Sequence, residues 1–215
     1  MDKTIEKSIE DYITALKSEV DNLNKDSIKK AIEVIFKAYK KGEKIFIIGN
    51  GGSASTASHF ACDLGKGTVK NYSDDDESRF KVISLADNIP LMTAYSNDRN
   101  YEEIFSQQLS NLAEKGDVLI AISGSGNSKN ILKAVEFAKR RELVTIGLIG
   151  FDGGELKNMT DYQIIVKSQN YGRIEDLHLV IEHIISQCLR KIKTWIDLIK
   201  IRINGLLGNI IKLDL

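Results

Sequence analysis

One proline and two cysteines are all that 215 residues hold of the two residue types that most constrain a chain covalently. The two thiols, Cys62 and Cys188, are too few for a disulfide framework and do not form a spaced metal pair. A reducing cytoplasm is therefore the expected location, with both thiols in the core. Net charge is missing as well: 30 Lys and Arg balance 30 Asp and Glu, so no overall positive field holds a polyanion and nucleic acid is not an expected partner. Long apolar runs are absent from the N-terminus, where MDKTIEKSIEDYI interleaves acids and bases. That segment reads as neither a signal peptide nor a membrane span, and no membrane association is expected of it. The tail from Trp195, WIDLIKIRINGLLGNIIKLDL, is apolar at roughly helical intervals. A docking segment or oligomer contact is the expectation for it, ahead of a membrane-surface helix.

The length suits one well-filled α/β core, so a single domain over 1–215 is expected. Within it we read a helical oligomerisation segment (1–41), an α/β core (42–172), and a C-terminal helix and tail (173–215). Ile5, Ile9, Ile13 and Leu16, then Ile28, Ala31, Ile32, Ile35, Ala38 and Tyr39, repeat at helical spacing, which predicts a helical pair divided near 22–26. Short apolar runs at 44–48, 80–85, 118–122, 144–149 and 162–166 predict buried strands. Helical patterns at 54–64, 101–114 and 128–141 lie between them, and Pro90 marks another helix start. This alternation predicts a three-layer sandwich, a central parallel sheet flanked by helices, with a long final helix from Arg173 to about Lys200. The segment NYSDDDESRF at 71–80 has no periodicity and reads as an exposed loop.

Two glycine- and serine-rich loops each follow a strand and open a helix. The first contains Asn50, Gly51, Gly52 and Ser53; the second contains Ser123, Gly124, Ser125 and Ser128. Glycines permit close backbone approach, and a helix N-terminus offers free N–H groups and a positive dipole end to an anion. Serine and glycine also make ordinary turns and N-caps, but two such loops at strand carboxyl ends favour a ligand site. Neither loop ends as a nucleotide P-loop does or carries the dinucleotide fingerprint, so a sugar phosphate is the better ligand.

GNGGSASTASHFACDLGKG, LADNIPLMTAYSNDRNYEEIF, AISGSGNSKNILKA and RIEDLHLVIEHII occur in this order and resemble the sugar isomerase (SIS) domain family. More narrowly, they resemble its phosphoheptose isomerases. The resemblance implies the SIS fold and the conversion of sedoheptulose 7-phosphate to D-glycero-D-manno-heptose 7-phosphate, for surface polysaccharide. It implies phosphate held by Ser123, Ser125 and Ser128 with help from Ser53, and Asn97 and Asp98 beside the sugar. Alternatives left open are a non-catalytic SIS protein that binds phosphosugars or regulates partners, and an isomerase of another sugar phosphate.

Chemistry then turns on the titratable groups. His59 and Asp63 are four residues apart on one helix face, within reach of a common atom. Glu175 and His183 are eight apart, which is about 80° and about 12 Å along a helix, so they share one small atom only through an irregular first turn or across two subunits. Aldose–ketose isomerisation needs a base for carbon and an acid or base for two oxygens. The resemblance implies Asp63, Glu175 and His183 in those roles, with Asp63 or Glu175 as the carbon base. It also implies a divalent metal, zinc by its nitrogen and oxygen ligands, among His59, Asp63, Glu175 and His183. Two residues depart from the family pattern: Asp63 stands for Glu and is one methylene shorter, and Glu175 stands for Gln and adds a charge. His178, turned about 140° from His183, is expected in the core or at an interface. The broad apolar faces of the terminal helices predict a homotetramer built around a helical bundle.

Overall fold

The computed structural model describes the backbone of residues 1–211 and the side chains of residues 1–196. Helices α1 (Asp2–Asp21) and α2 (Lys25–Lys41) form the N-terminal pair. Asn24 divides them by capping α2, its Oδ1 accepting the Ser27 N–H at 3.0 Å, and Gly42 ends α2 at φ 71°. The strands are β1 (Lys44–Ile48), β2 (Lys81–Ser84), β3 (Val118–Ser123), β4 (Val144–Gly150) and β5 (Tyr162–Val166). All pair in parallel, in the order β2-β1-β3-β4-β5. Every connection is thus a crossover, and the direction of strand addition reverses between β1 and β3.

Residue alternation along the strands splits the core in two. Ile45, Ile47, Val118, Ile120, Ile122, Ile146 and Leu148 face a cluster shared with α2, with α3 (Gly52–Cys62) and with α8 (Tyr171–Ile211). Phe46, Ile48, Leu119, Ala121 and Ile149 face the other, shared with α5 (Ile104–Leu112), α6 (Lys129–Arg140) and the short α7 (Leu156–Met159). Between β2 and α5 lies α4 (Ile89–Asp98), which has Pro90 in its first turn and is capped by Asn88, whose Oδ1 accepts from Leu91 at 3.1 Å.

Several expectations shift in detail. The helix expected at 101–114 begins as a 3₁₀ turn over Tyr101–Glu103, and the one expected at 54–64 starts at Gly52. The latter ends in a π turn, Asp63–Gly67, where Gly65 and Gly67 weaken the α-helical preference. Neither thiol is a fully buried core thiol: Cys62 is exposed and Cys188 half-buried, because each stands at the edge of a helix's apolar stripe. The 68–79 loop is exposed over most of its length. It is nevertheless fastened by the buried Lys193, whose ammonium donates to Glu77 at 3.1 Å and to the Ser78 and Thr68 carbonyls. Among the described residues no helix is long and apolar enough to cross a membrane. What the side chains of the tail touch lies outside the described residues.

Candidate functional site

Both loops sit at the one place in the sheet where strand order reverses, the crevice between the carboxyl ends of β1 and β3, where doubly wound sheets bind ligands. A reciprocal amide pair spans this crevice. Asn50 donates to Asn130 at 2.9 Å, and Asn130 donates back at 2.8 Å. The Tyr101 hydroxyl donates to the same Asn50 oxygen at 3.0 Å, which ties the segment after α4 to the first loop. Asn130 and Tyr101 were not singled out in the sequence, since a polar residue just inside a helix and an isolated tyrosine carry no local signal.

The second loop is folded on itself. Ser123, nearly buried, accepts from the Gly126 N–H at 3.1 Å, and Ser125 accepts from Asn127 at 3.2 Å. Gly126 stands at φ 67°, where a Cβ would lie 2.3 Å from the Gly153 carbonyl oxygen, so glycine is required there. Ser128 is the N-cap of α6, yet its hydroxyl caps no backbone N–H, which leaves it available at the helix start. Ser53 is nearly buried in the first turn of α3, behind the exposed Gly51 and Gly52. Asn97 and Asp98 are exposed at the end of α4 and bond to each other at 2.9 Å.

The first turn of α8 closes the crevice from the side. Tyr171 and Ile174 pack on Gly124, and the Glu175 carboxylate lies against Gly52, where an added Cβ would come within 2.6 Å of it. From there α3 and α8 run side by side in the same direction, so His183 meets His59, and the Nε2 atoms are 3.3 Å apart. Asp63, at the start of the π turn, has Oδ1 3.9 Å from His59 Nε2 and Oδ2 3.9 Å from His183 Nε2. The fourth member is Glu182, whose Oε2 is 3.4 Å from His183 Nε2. These four residues present ligand atoms all within 4.8 Å of one another.

Glu175 is therefore not in the cluster that gathers within one chain, contrary to the metal set read from the sequence. The helix is regular from Tyr171, and eight residues of rise hold Glu175 about 12 Å from His183 along the axis. Glu182 was missed. Its only sequence signal is an acid inside the stripe of Ile174, Leu177, His178, Ile181 and Ile185, all buried in the structure.

Glu182 is fully buried, and neither carboxyl oxygen has a hydrogen-bond partner. Burial first, then the facing Asp63 carboxylate, pushes its carboxyl up to about 8. Two imidazole nitrogens face each other beside it, and two lone pairs at that distance need a proton or a cation between them. Zinc bonds of about 2.0–2.1 Å at tetrahedral angles separate ligand atoms by about 3.3–3.4 Å. The observed separations of 3.3, 3.4 and 3.9 Å lie close to that, so the donor set fits a divalent cation.

Comparison with known proteins places the chain in a family. The family model described as SIS domain matches residues 10–150. A phosphoheptose isomerase of Helicobacter pylori is 39% identical over 191 residues, 89% of this chain and 96% of that protein. The solved phosphoheptose isomerase of Neisseria gonorrhoeae superposes with a TM-score of 0.79 at 28% identity, covering 87% of this chain and 99% of that one. That of Francisella tularensis gives 0.78 at 30% identity, covering 88% and 97%.

Proposed function

Since the chain belongs to the SIS domain family, among its phosphoheptose isomerases, we propose that it interconverts sedoheptulose 7-phosphate and D-glycero-D-manno-heptose 7-phosphate in the cytoplasm, supplying heptose for surface polysaccharide. The observation that carries this reading is the layout of the crevice. The glycine- and serine-rich loops stand at one end of paired helices, and a cluster of imidazole and carboxyl groups stands at the other. The seven residues from Gly52 to His59 rise about 10 Å. At carbon–carbon bonds of about 1.5 Å, an extended seven-carbon chain with its phosphate spans a comparable length.

In this proposal the phosphate rests on Ser123, Gly124, Ser125 and Ser128, with Asn50, Gly51, Gly52 and Ser53 closing the other wall. Asn97 and Asp98 face the sugar hydroxyls. The base removes a proton from C1 of the ketose while O2 gains one, giving an enediol. Return of the proton to C2, with loss of the O1 proton, gives the aldose. We assign the carbon proton to Asp63 and the oxygens to His183, because the two groups lie 3.9 Å apart and the reaction concerns adjacent atoms. Glu175, at the loop end, orients the sugar and is the alternative base. A divalent cation, zinc by its ligand types, would be held by His59, Asp63 and His183 and would supply polarisation of the substrate's oxygens. The assembly is a homotetramer.

Incubation with sedoheptulose 7-phosphate and chromatographic detection of the aldose tests the reading. Wild type should convert it, Ser125→Ala should raise KM about tenfold through one lost charge-assisted hydrogen bond, and His183→Ala should lower kcat by about 10²–10⁴. Binding of the sugar phosphate without any conversion would select the non-catalytic alternative.

A further inference from the structure

We propose that Glu182, delivered from the core side of α8, is the fourth ligand of the divalent cation, so that each chain holds its ion without help from Glu175 or from a second subunit. This rests on the metal reading above and goes beyond it, because the pattern that identifies the family places a different α8 residue in the set.

Three observations converge. The first is cost: a carboxyl with 0% exposure and two unpartnered oxygens is an expensive group to keep in an apolar stripe, and buried polar groups without partners call for a ligand. Its core-side neighbours on α8, Ile181 and Ile185, are apolar and buried, and the polar group that α8 brings to it is His183 Nε2 at 3.4 Å. The second is reach. Asp63 is one methylene shorter than the glutamate of the family pattern and retracts by about 1.5 Å. Glu182 projects toward the same spot from the opposing helix, with Oε2 3.4 Å from His183 Nε2 and within 4.8 Å of the His59 and Asp63 ligand atoms. The third is charge. Two carboxylates and two neutral imidazoles around a dication form a neutral unit, the form in which a half-buried cluster costs least. Glu175, meanwhile, lies beside Gly52, about two helix turns away.

The test is a zinc titration of chelator-stripped protein against a competing chromophoric chelator, paired with the Tm rise on zinc addition and the visible spectrum of the cobalt(II) form. Wild type is expected to bind one ion per chain. Glu182→Gln should weaken binding at least tenfold, shrink the zinc-dependent Tm rise and alter the cobalt spectrum, while Glu175→Gln stays within about twofold on all three. Glu182→Gln is isosteric and removes an ionisable group from the core, so the ion-free variant should melt no lower than ion-free wild type at pH 8. Wild-type affinity and spectrum in Glu182→Gln, or their loss in Glu175→Gln, would overturn the assignment. So would a wild-type chain that takes up no divalent ion. Should Glu182→Gln fail to fold, the Glu175→Gln arm still decides: an unchanged cobalt spectrum supports the proposal and a changed one refutes it. Conversion of sedoheptulose 7-phosphate, measured separately, distinguishes failure of the isomerase reading from failure of this ligand assignment.

Discussion

Of the three histidines, His59 and His183 meet at the site and His178 points into the core with 1% exposure, as its five-residue offset from His183 implies. Burial pushes its imidazole down to about 4, against a smaller upward pull from the Ile149 backbone. The folded value lies below the ordinary 6.5, so above that pH the ring is neutral in both folded and unfolded chains and proton binding does not distinguish them. As pH falls, the unfolded chain takes up a proton that the native state refuses. The associated stability is full above about 6.5 and is lost as pH falls through about 4. At about 1.4 kcal/mol per unit, the loss is of order 3 kcal/mol. Denaturant unfolding at pH 7 and pH 4.5 should therefore show a smaller acid loss in His178→Leu than in wild type. An identical loss in both would assign the acid limb to other groups. His178 was legible because a helix offset fixes direction. Glu182 was not, because its neighbour in sequence lies about 100° away around the helix, and only the packing of α3 reveals which of the two directions is dry.

At the level of elements, the strands were legible as apolar runs because a parallel sheet buries both faces of its inner strands, whereas β2, at the edge, is buried only at Ser84. Their order was not, because no local pattern records which strand lies beside which, and the β1/β3 reversal that gathers the two loops is a property of the whole sheet. The loops themselves were legible from glycine and serine, but the reason for Gly126 was not. Its positive φ and its approach to the Gly153 carbonyl come from the turn after β4, 27 residues away in sequence. Gly126→Ala forces both a strained φ and a backbone clash, of order 1–3 kcal/mol together with displacement of the loop. Calorimetry with inorganic phosphate should show at least tenfold weaker binding in Gly126→Ala, and the Tm should fall. Unchanged phosphate affinity would detach this loop from anion binding. The Lys193 anchor illustrates the same limit. A lysine in an amphipathic helix reads as solvated, yet here it is fully enclosed by Tyr39, Phe80 and the carbonyls of the 68–79 loop.

At the scale of the molecule, α1 presents the largest unsatisfied demand. It has no buried residue, and Ile5, Ile9 and Ile13 are 49%, 54% and 46% exposed along one stripe. It is attached to the rest of the chain by Leu16, half-buried against the core, and by polar groups: the Tyr12 hydroxyl donates to Asp176 at 2.6 Å, and Arg173 pairs with Glu19 at 3.0 Å. A helix that spends one leucine on its own core and leaves three isoleucines facing outward is organised for a partner helix, since three such side chains recover roughly 1.5–3 kcal/mol each on full burial. That stripe, together with the adjoining face of α8 where Val180 and Ile184 are each 36% exposed, is what supports the homotetramer. Sedimentation velocity at micromolar concentration should give a tetramer for wild type and smaller species for the double variant Ile5→Glu/Ile9→Glu. Its far-ultraviolet circular dichroism should be retained, because neither side chain contributes to the chain's own core. A wild-type monomer would refute the assembly. A tetramer unaffected by the two glutamates would move the interface off α1 and onto surfaces that α1 does not form.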